Sequence, residues 1–166
     1  MRVVRSAGLA VSLAVLVFGV SASVALASVT IHENKGVGKA RLGMKDATAK
    51  RYLGRVLAKW TDNNYATPSY GYGFRKRLGN HHYALEMYSN SSHKVFEFVC
   101  NRAYYVTSKG GKVGSKTAYL KSKYPTGLKR HPAGLYWRYT YGKKHFTDFY
   151  VKKSTGRVFE IIVRSK

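Results

Sequence analysis

Two histidine–glutamate pairs stand at matching places in the chain and could perform acid–base chemistry. His82 is followed by Glu97, and His145 is followed by Glu160. An imidazole and a carboxylate on neighbouring strands can act as acid and base in RNA cleavage, with nearby Lys and Arg stabilising the phosphorane charge. The same repetition also follows from duplication of the fold without any chemistry. A secreted nuclease is therefore a minor alternative.

The same glutamates also have arginine partners at matching positions. Arg75 precedes Glu97, and Arg138 precedes Glu160. On adjacent strands each would form an ion pair on the outward face, worth about 0.2–1 kcal/mol. This interpretation requires each arginine to lie on the strand next to its glutamate.

Three histidines could approach one another across a hairpin, namely His81, His82 and His93. Their spacing does not recur in the second half of the chain, and Cys100 is the sole cysteine. Structural metal sites usually combine several His and Cys ligands. We therefore interpret these histidines as exposed turn residues and expect no metal and no cofactor.

Aromatic and basic residues alternate through the strand-like segments, with fourteen Tyr, seven Phe and two Trp in the chain. Basic residues among aromatics can bind single-stranded nucleic acid by stacking and phosphate contact. Aromatic and Arg enrichment is also typical of protein–protein contact sites. Most of the rings should fill the core, with Tyr72, Tyr136 and Tyr139 among those we expect to be exposed. The candidate binding residues are Tyr72, Arg75, Lys76, Arg77, Tyr136, Arg138, Tyr139, Lys143 and Lys144.

These residues lie in a duplicated segment. Residues 71–101 align without a gap to residues 134–164, at an offset of 63 positions and with eight identities in 31. The identical pairs are Gly71/Gly134, Arg75/Arg138, Gly79/Gly142, His82/His145, Ser91/Ser154, Val95/Val158, Phe96/Phe159 and Glu97/Glu160.

Each copy predicts three antiparallel strands separated by turn residues. In the third strand, side-chain alternation divides the residues between two faces. We expect the apolar stripe, Phe96, Phe98 and Cys100, to pack inward, with Phe159, Ile161 and Val163 in copy two. The stripe carrying Glu97 or Glu160 should face outward.

A short helix precedes each set of strands. Asp46 is the predicted N-cap and Gly54 the predicted end of the first helix, whereas Ser115 and Pro125 bound the second. These helices are weakly periodic and need docking on a sheet for stability. The predicted fold class is therefore α+β, with two tandem α-βββ repeats and both helices packed on one sheet face.

The first 27 residues have the features of a signal peptide. Arg2 and Arg5 precede a long apolar run, and Ala25-Leu26-Ala27 is an A-x-A cleavage site. We expect export and cleavage before Ser28, which gives a secreted protein with repeat 1 at 28–107 and repeat 2 at 108–166.

The chain is strongly basic, with a net charge of +23, or +21 once Arg2 and Arg5 are removed. This charge predicts attraction to anionic polymers and surfaces. Because Cys100 is the sole cysteine, an intramolecular disulfide is excluded. We expect Cys100 to be a small buried hydrophobic residue rather than a reactive thiol or part of an intermolecular disulfide.

The stretch 36–54, with Gly43-Met44 before a helix and Leu53-Gly54 at its end, resembles the opening of BamE-like (SmpA/OmlA) envelope proteins. Gly114 and Tyr124-Pro125 echo it in the second copy. Two such units in tandem resemble the β-lactamase inhibitory protein architecture of secreted actinobacterial proteins. The chain departs from these families in having Lys45 and Lys116 at the capping Thr position, no lipobox Cys and no disulfides.

The resemblance implies a non-enzymatic module that binds other proteins. We therefore expect a secreted binding module that engages a protein or an envelope partner through its sheet face. The main alternative is an electrostatic binder of nucleic acid or a teichoic-acid-like polymer.

Overall fold

The structure is a computed structural model that describes residues 27–63, 67–79 and 82–166. Residues 1–26 of the predicted signal peptide lie outside the described residues, as does His81. No helix in the described part of the chain is long and apolar enough to span a membrane.

The larger of two sheets has eight antiparallel strands in the order β4-β5-β6-β7-β12-β11-β10-β9. Its first half is β4 (Val56–Asp62), β5 (Ser69–Gly79), β6 (His82–Ser89) and β7 (Val95–Cys100). Its second half is β9 (Leu128–Ala133), β10 (Tyr136–Gly142), β11 (His145–Lys152) and β12 (Arg157–Ser165). Each half is a four-stranded meander, and β7 pairs with β12 to join the halves.

The two edge strands β4 and β9 were not predicted from the sequence. β9 contains Pro132, which lacks a backbone N–H and is tolerated at a sheet edge. Lys129 and Arg130 on the same strand also discourage pairing with another chain. Each half of the large sheet therefore has four strands, rather than the three predicted for each copy.

A smaller sheet has the order β3-β2-β1-β8. Its strands are β1 (Val29–His32), β2 (Gly36–Val37), β3 (Ala40–Arg41) and β8 (Tyr105–Thr107). β1 and β8 pair in parallel, and the other two pairings are antiparallel.

The predicted α+β class is wrong because the described chain is mostly β. Its two helices are short: α1 (Asp46–Leu53) has eight residues and α2 (Thr117–Lys123) has seven. Helices of this length have little stability of their own. Segments assigned no structure from sequence, such as Val29–His32 and Tyr105–Thr107, instead form a second sheet.

Helix α1 begins one residue earlier than capping chemistry predicts. Lys45 occupies the N-cap position without a side-chain cap, and Asp46 is the first helical residue. Gly54 ends the helix, as predicted. Its φ of 94° is positive, a conformation that glycine adopts without strain. Lys116, not Ser115, precedes α2.

One buried cluster connects both sheets and both helices. It contains Ile31 of β1, Leu53 of α1 and Leu120 of α2. From the large sheet it takes Phe98 and Phe149, both fully buried. Cys100 also lies in this cluster with no solvent exposure, which confirms its predicted burial. Burial raises the pKa of its thiol.

The two halves of the large sheet are related by a two-fold arrangement of pairs at the β7–β12 junction. Val99 pairs with Ile162, and the flanking pairs Cys100–Ile161 and Phe98–Val163 exchange equivalent positions at the offset of 63. Moving outward from the junction, the strands no longer follow this offset. Equivalent residues are 62 positions apart in β6 and β11, 67 in β5 and β10, and 71 in β4 and β9.

The gapless alignment therefore fails outside the third strand, because the turns and hairpins of the two copies differ in length. Arg75 and Arg138 are not structural equivalents, and neither are His82 and His145. The position equivalent to Arg138 is Gly71.

Candidate binding face

The large sheet has an inner face, which contributes to the buried cluster, and an opposite outer face. Along the middle of the outer face, cross-strand pairing aligns one row of residues. The row runs Gly73, Glu86, Val99, Ile162, Asp148, Thr140 and Lys129.

Matching β-bulges change the alternation of the third strand in both copies. Ser89 pairs with Val95 and Tyr88 with Glu97, which leaves Phe96 as the extra residue. The extra residue of a bulge disrupts the ladder and re-aims the neighbouring side chains. As a result Val95 is buried, and Phe96 lies near Tyr88, with 6.5 Å between ring centroids.

The second bulge lies between the pairs Val151–Val158 and Tyr150–Glu160, with Phe159 as its extra residue. Val158 is buried, and the Phe159 ring centroid lies 4.6 Å from that of Tyr136 and 6.3 Å from that of Tyr150. The prediction that Phe96 and Phe159 pack inward is therefore wrong. The predicted inward position of Phe98, Cys100, Ile161 and Val163 is confirmed.

Two glycines of β5 make room for the aromatic rings of the first half. A Cβ atom at Gly71 would lie 2.2 Å from the Trp60 ring, and one at Gly73 would lie 2.4 Å from the Tyr83 ring. Trp60 and Tyr83 are stacked, with centroids 5.8 Å apart and planes at 15°. Glycine inside a strand often marks such a close approach. Trp60, Tyr83, Tyr88 and Phe96 form the first aromatic cluster.

The second aromatic cluster consists of Tyr136, Tyr150 and Phe159, at the junction of β10, β11 and β12. All three rings are partly exposed. Lys152 places its Nζ 5.9 Å from the Phe159 centroid, within the range of a cation–π contact. Both halves of the outer face therefore present partly exposed aromatic surface.

Four carboxylates lie between the two clusters, on the central strands of the outer face. The symmetry of the junction relates Glu97 to Glu160 and Glu86 to Asp148. We call Glu86, Glu97, Asp148 and Glu160 the central carboxylates.

Glu86 on β6 and Asp148 on β11, the two most buried members of this set, have different hydrogen-bond partners. Glu86 accepts hydrogen bonds from the backbone N–H of Tyr83 at 3.0 Å and from the Tyr88 hydroxyl at 2.8 Å. Asp148 is fully buried, and its Oδ2 accepts a hydrogen bond from Arg164 Nε at 2.6 Å. Its Oδ1 has no partner among the described residues.

The ionisation of Glu160 is shifted towards neutral pH. Burial, and then the negative charges of Glu86 and Glu97, raise its pKa to about 7, against a smaller opposing effect of His82. The charge at the centre of the outer face therefore changes near neutral pH.

The nine predicted binding residues do not form one site. Tyr72 and Tyr139 are buried in the core, with 2% and 4% exposure, and so the prediction that they are exposed is wrong. Alternation along their strands directs both rings inward, and Tyr72 donates a hydrogen bond to Asp46. Arg75, Lys76 and Arg77 are exposed at the far end of β5.

The remaining four predicted residues lie in the second half. Tyr136 belongs to the second aromatic cluster, and Arg138 lies on the outer face of β10. Lys143 and Lys144 are exposed in the β10–β11 turn. The structure thus brings Arg138 and Lys143 together at one recess, and it places Lys144 outside that recess.

The predicted arginine–glutamate pairs are wrong, because a whole strand separates their members. Arg75 lies on β5 and Glu97 on β7, with β6 between them, whereas Arg138 on β10 is separated from Glu160 on β12 by β11.

The two histidine–glutamate pairs are also not in contact. Glu97 pairs with Tyr88, six positions along β6 from His82, and Glu160 pairs with Tyr150, five positions from His145. At about 3.4 Å per residue these separations are on the order of 17–20 Å. Neither pair can act as a joint acid and base.

No group of three or more potential metal-ligating side chains occurs in the described ranges. Of the three histidines considered above, His93 contacts Asp46 and His82 lies 3.7 Å from Glu86.

No protein-family model matches the chain, and no curated protein matches it significantly. Its fold is similar to that of YfeY from Escherichia coli. The crystal structure of YfeY, an uncharacterised protein, aligns with a TM-score of 0.58 at 16% sequence identity. The alignment covers 81% of this chain and 99% of YfeY. At this identity the similarity to YfeY shows the fold alone.

Sequence reasoning missed Trp60, Glu86, Asp148 and Arg164. Trp60 belongs to the unpredicted strand β4. The sequence Lys59-Trp60-Thr61 alternates polar and apolar residues, as a strand does, and could have indicated it. An acidic residue in the middle of the second strand of each copy was an available signal. The offset of 63 concealed it, because Glu86 and Asp148 are 62 positions apart.

Proposed function

We propose that this protein is a secreted, non-enzymatic binding module that engages a partner protein through the outer face of its large sheet. The observation that carries the proposal is the composition of that face. Partly exposed aromatic clusters in both halves flank the central carboxylates, in a chain whose net charge is +23.

The aromatic clusters provide the apolar contact area that a protein partner needs. Trp and Tyr are enriched among the residues that dominate binding energy, because they bury large area with few rotatable bonds. Trp60 is fixed by stacking on Tyr83 and by an edge contact with Tyr88 at 5.8 Å. A ring that is already ordered loses little conformational entropy on binding.

The partly exposed members of the central carboxylates, Glu97 and Glu160, define the charge that the partner should present. Four of the seven acidic residues of the chain are the central carboxylates. Complementary charge steers association and fixes the orientation of a complex. A partner with Lys, Arg or amide donors at the centre of its contact surface and apolar groups around them fits this face.

The resemblance to BamE-like and β-lactamase inhibitory proteins remains a prediction, and its implication of protein binding agrees with this proposal. The experiment is affinity capture with the immobilised protein from secreted and envelope fractions of the producing organism, at about 0.15 M and about 0.5 M salt. A protein that is retained at both concentrations with a defined stoichiometry is the expected result.

Two variants test whether the outer face carries the binding. Phe96→Ala and Phe159→Ala should each weaken the captured complex by about tenfold or more, as expected for contact aromatics. Tyr119→Ala is the matched control, because Tyr119 is 41% exposed on helix α2, away from this face. If all three variants bind alike, the outer face is not the contact surface.

The large positive charge favours a second candidate, an electrostatic binder of anionic polymer such as nucleic acid or a teichoic-acid-like chain. Thirty Lys and Arg residues against seven Asp and Glu support it. Such binding falls steeply with salt, so capture of acidic polymers that is lost at about 0.5 M would favour this function instead.

A further inference from the structure

An open recess of about 420 Å³ lies on the outer face of the second half, beside the β10–β11 turn. β9 contributes Lys129 and His131 to its lining. Arg138 and Thr140 come from β10 and are the direct cross-strand partners of His131 and Lys129. The remaining lining residues are Gly142, Lys143, Phe146 and Arg164.

Two polar groups of this recess lack a partner in the folded chain. Arg138 Nε and Thr140 Oγ1 are buried atoms without a hydrogen-bond partner among the described residues. Thr140 as a whole is only 8% exposed. Because burial of an unsatisfied donor destabilises a fold, such groups require an explanation, and a bound ligand or water is the usual one.

The charge of the recess is strongly positive. Its lining contains Lys129, Arg138 and Lys143, and no Asp or Glu. The ion pairs found within the described ranges include none of these three residues. The fourth cation, Arg164, is neutralised by Asp148. Asp148, the cross-strand partner of Thr140 on β11, has its charge offset by Arg164, which leaves three cations without carboxylate partners around two unpartnered donors, the features of an anion site.

We propose that this recess binds a phosphate group. A phosphate has acceptor oxygens on all sides, so it can accept from Arg138 and Thr140 on β10 while it faces Lys129 on one side and Lys143 on the other. A planar carboxylate with two oxygens and one charge satisfies fewer of these groups. The volume exceeds that of a phosphate alone and leaves room for an organic part beside Phe146.

The test is calorimetric titration of the protein with inorganic phosphate, glycerol phosphate and acetate at a constant ionic strength of about 0.15 M. Saturable binding of one phosphate per chain is expected, with acetate at least about tenfold weaker. Tighter binding of glycerol phosphate than of inorganic phosphate would identify an ester as the ligand, and the reverse would identify the free ion. Non-saturable binding, or equal affinity for acetate, would overturn the proposal.

Thr140→Val separates a ligand-binding role from a structural one. The substitution removes a hydroxyl that has no partner in the described structure, so stability should be unchanged or higher, whereas phosphate affinity should fall about tenfold. A variant that binds phosphate like the original protein would contradict the assignment.

Lys143→Gln and Lys144→Gln are a matched pair, because each removes one charge from the same turn and only Lys143 lines the recess. Lys143→Gln should weaken phosphate binding about tenfold, and Lys144→Gln by less than about threefold. Equal effects would mean that net charge alone attracts the anion. This result does not depend on whether the outer face binds a protein.

Discussion

Glu86 and Asp148 occupy equivalent positions on either side of the β7–β12 junction, and each accepts a hydrogen bond from one of two residues 63 positions apart, Asn101 just after β7 and Arg164 near the end of β12. For Glu86 that neighbour is Asn101, whose Nδ2 lies 3.5 Å from Oε1. For Asp148 it is Arg164, whose Nε lies 2.6 Å from Oδ2. Each half therefore has a buried carboxylate at the equivalent position, with an amide beside one and a guanidinium beside the other.

The two neighbours should contribute unequally to stability. Arg164→Met leaves the fully buried Asp148 carboxylate without its cation and should lower the free energy of unfolding by about 3 kcal/mol. Asn101→Ala removes a long hydrogen bond to Glu86 and another to the Tyr83 carbonyl, and about 1 kcal/mol is expected. Urea denaturation at pH 7 measures both. Similar losses in the two variants would show that the charge of Arg164 adds nothing.

Gly71→Ala should displace the Trp60 ring. The added methyl group would lie 2.2 Å from that ring, so the variant should lose about 1–3 kcal/mol of stability and shift the tryptophan fluorescence. Gly79→Ala is the control on the same strand, because its Cβ would lie within 4 Å of no other part of the chain that the structure describes. An unchanged emission spectrum in Gly71→Ala would mean that the ring does not lie over this glycine.

Stability should fall as the pH rises from 5 to 8 because of Glu160. Its folded-state pKa is raised to about 7 from an ordinary value of 4.5, first by burial and then by Glu86 and Glu97. The stabilising effect of its protonated form is complete below pH 4.5 and is lost as the pH passes through 7. The midpoint of urea denaturation should therefore decrease over this range.

Glu160→Gln should make this pH profile flatter, because an amide does not ionise. Glu97→Gln removes one of the charges that raise the Glu160 pKa and should move the decrease to lower pH. A profile that Glu160→Gln leaves unchanged would assign the effect to another group.

Asp46 should cause a separate loss of stability in acid. Burial raises its pKa, but hydrogen bonds from Tyr72 and His93 and the charge of Lys50 outweigh burial, so the pKa lies below the ordinary value of 3.8. A lowered carboxyl pKa stabilises the fold above that ordinary value, and the contribution disappears as the pH falls below about 4.

Tyr72→Phe tests this contribution, because it removes the 2.7 Å hydrogen bond to Asp46 Oδ2 and keeps the buried ring. The variant should be about 1–3 kcal/mol less stable at pH 7 and should lose less stability than the original protein between pH 5 and pH 2. An acid profile parallel to that of the original protein would exclude Tyr72 as the source of the shift.

The third strand of each copy could be predicted from sequence because the two copies have retained both pattern and length there. Phe98, Cys100, Ile161 and Val163 are buried as alternation requires. Phe96 and Phe159 are not, since a β-bulge adds one residue and resets the alternation. A strand with a bulge and a strand without one can share the same apolar composition, and so composition alone could not place these rings.

The fold class could not be predicted because short strands depend on their partners. β2 and β3 have two residues each and form only because β1 is beside them. β1 in turn pairs with β8, more than seventy residues away in the chain. No local pattern contains such long-range pairing, whereas local signals placed the start of each helix to within one residue.

The cationic recess on β9 and β10 was predicted only in part, because contacts between strands are not visible in a local sequence pattern. Arg138 and Lys143 were found through their residue types, and the structure adds the unpartnered Thr140 between them in the chain. The sequence offers no reason to select Thr140, because threonine is common in strands. Its importance follows from its cross-strand neighbours, which are Lys129 on β9 and Asp148 on β11.

The two-fold relation at the β7–β12 junction has a further consequence for recognition. A backbone with this relation would accept a symmetric partner in either of two orientations if both halves had the same side chains. Here the first half has Trp60 and Asn101, and the equivalent half has the cationic recess and Arg164. The different side chains of the two halves thus give a symmetric backbone a polarity, and we expect a bound molecule to take a single orientation on it.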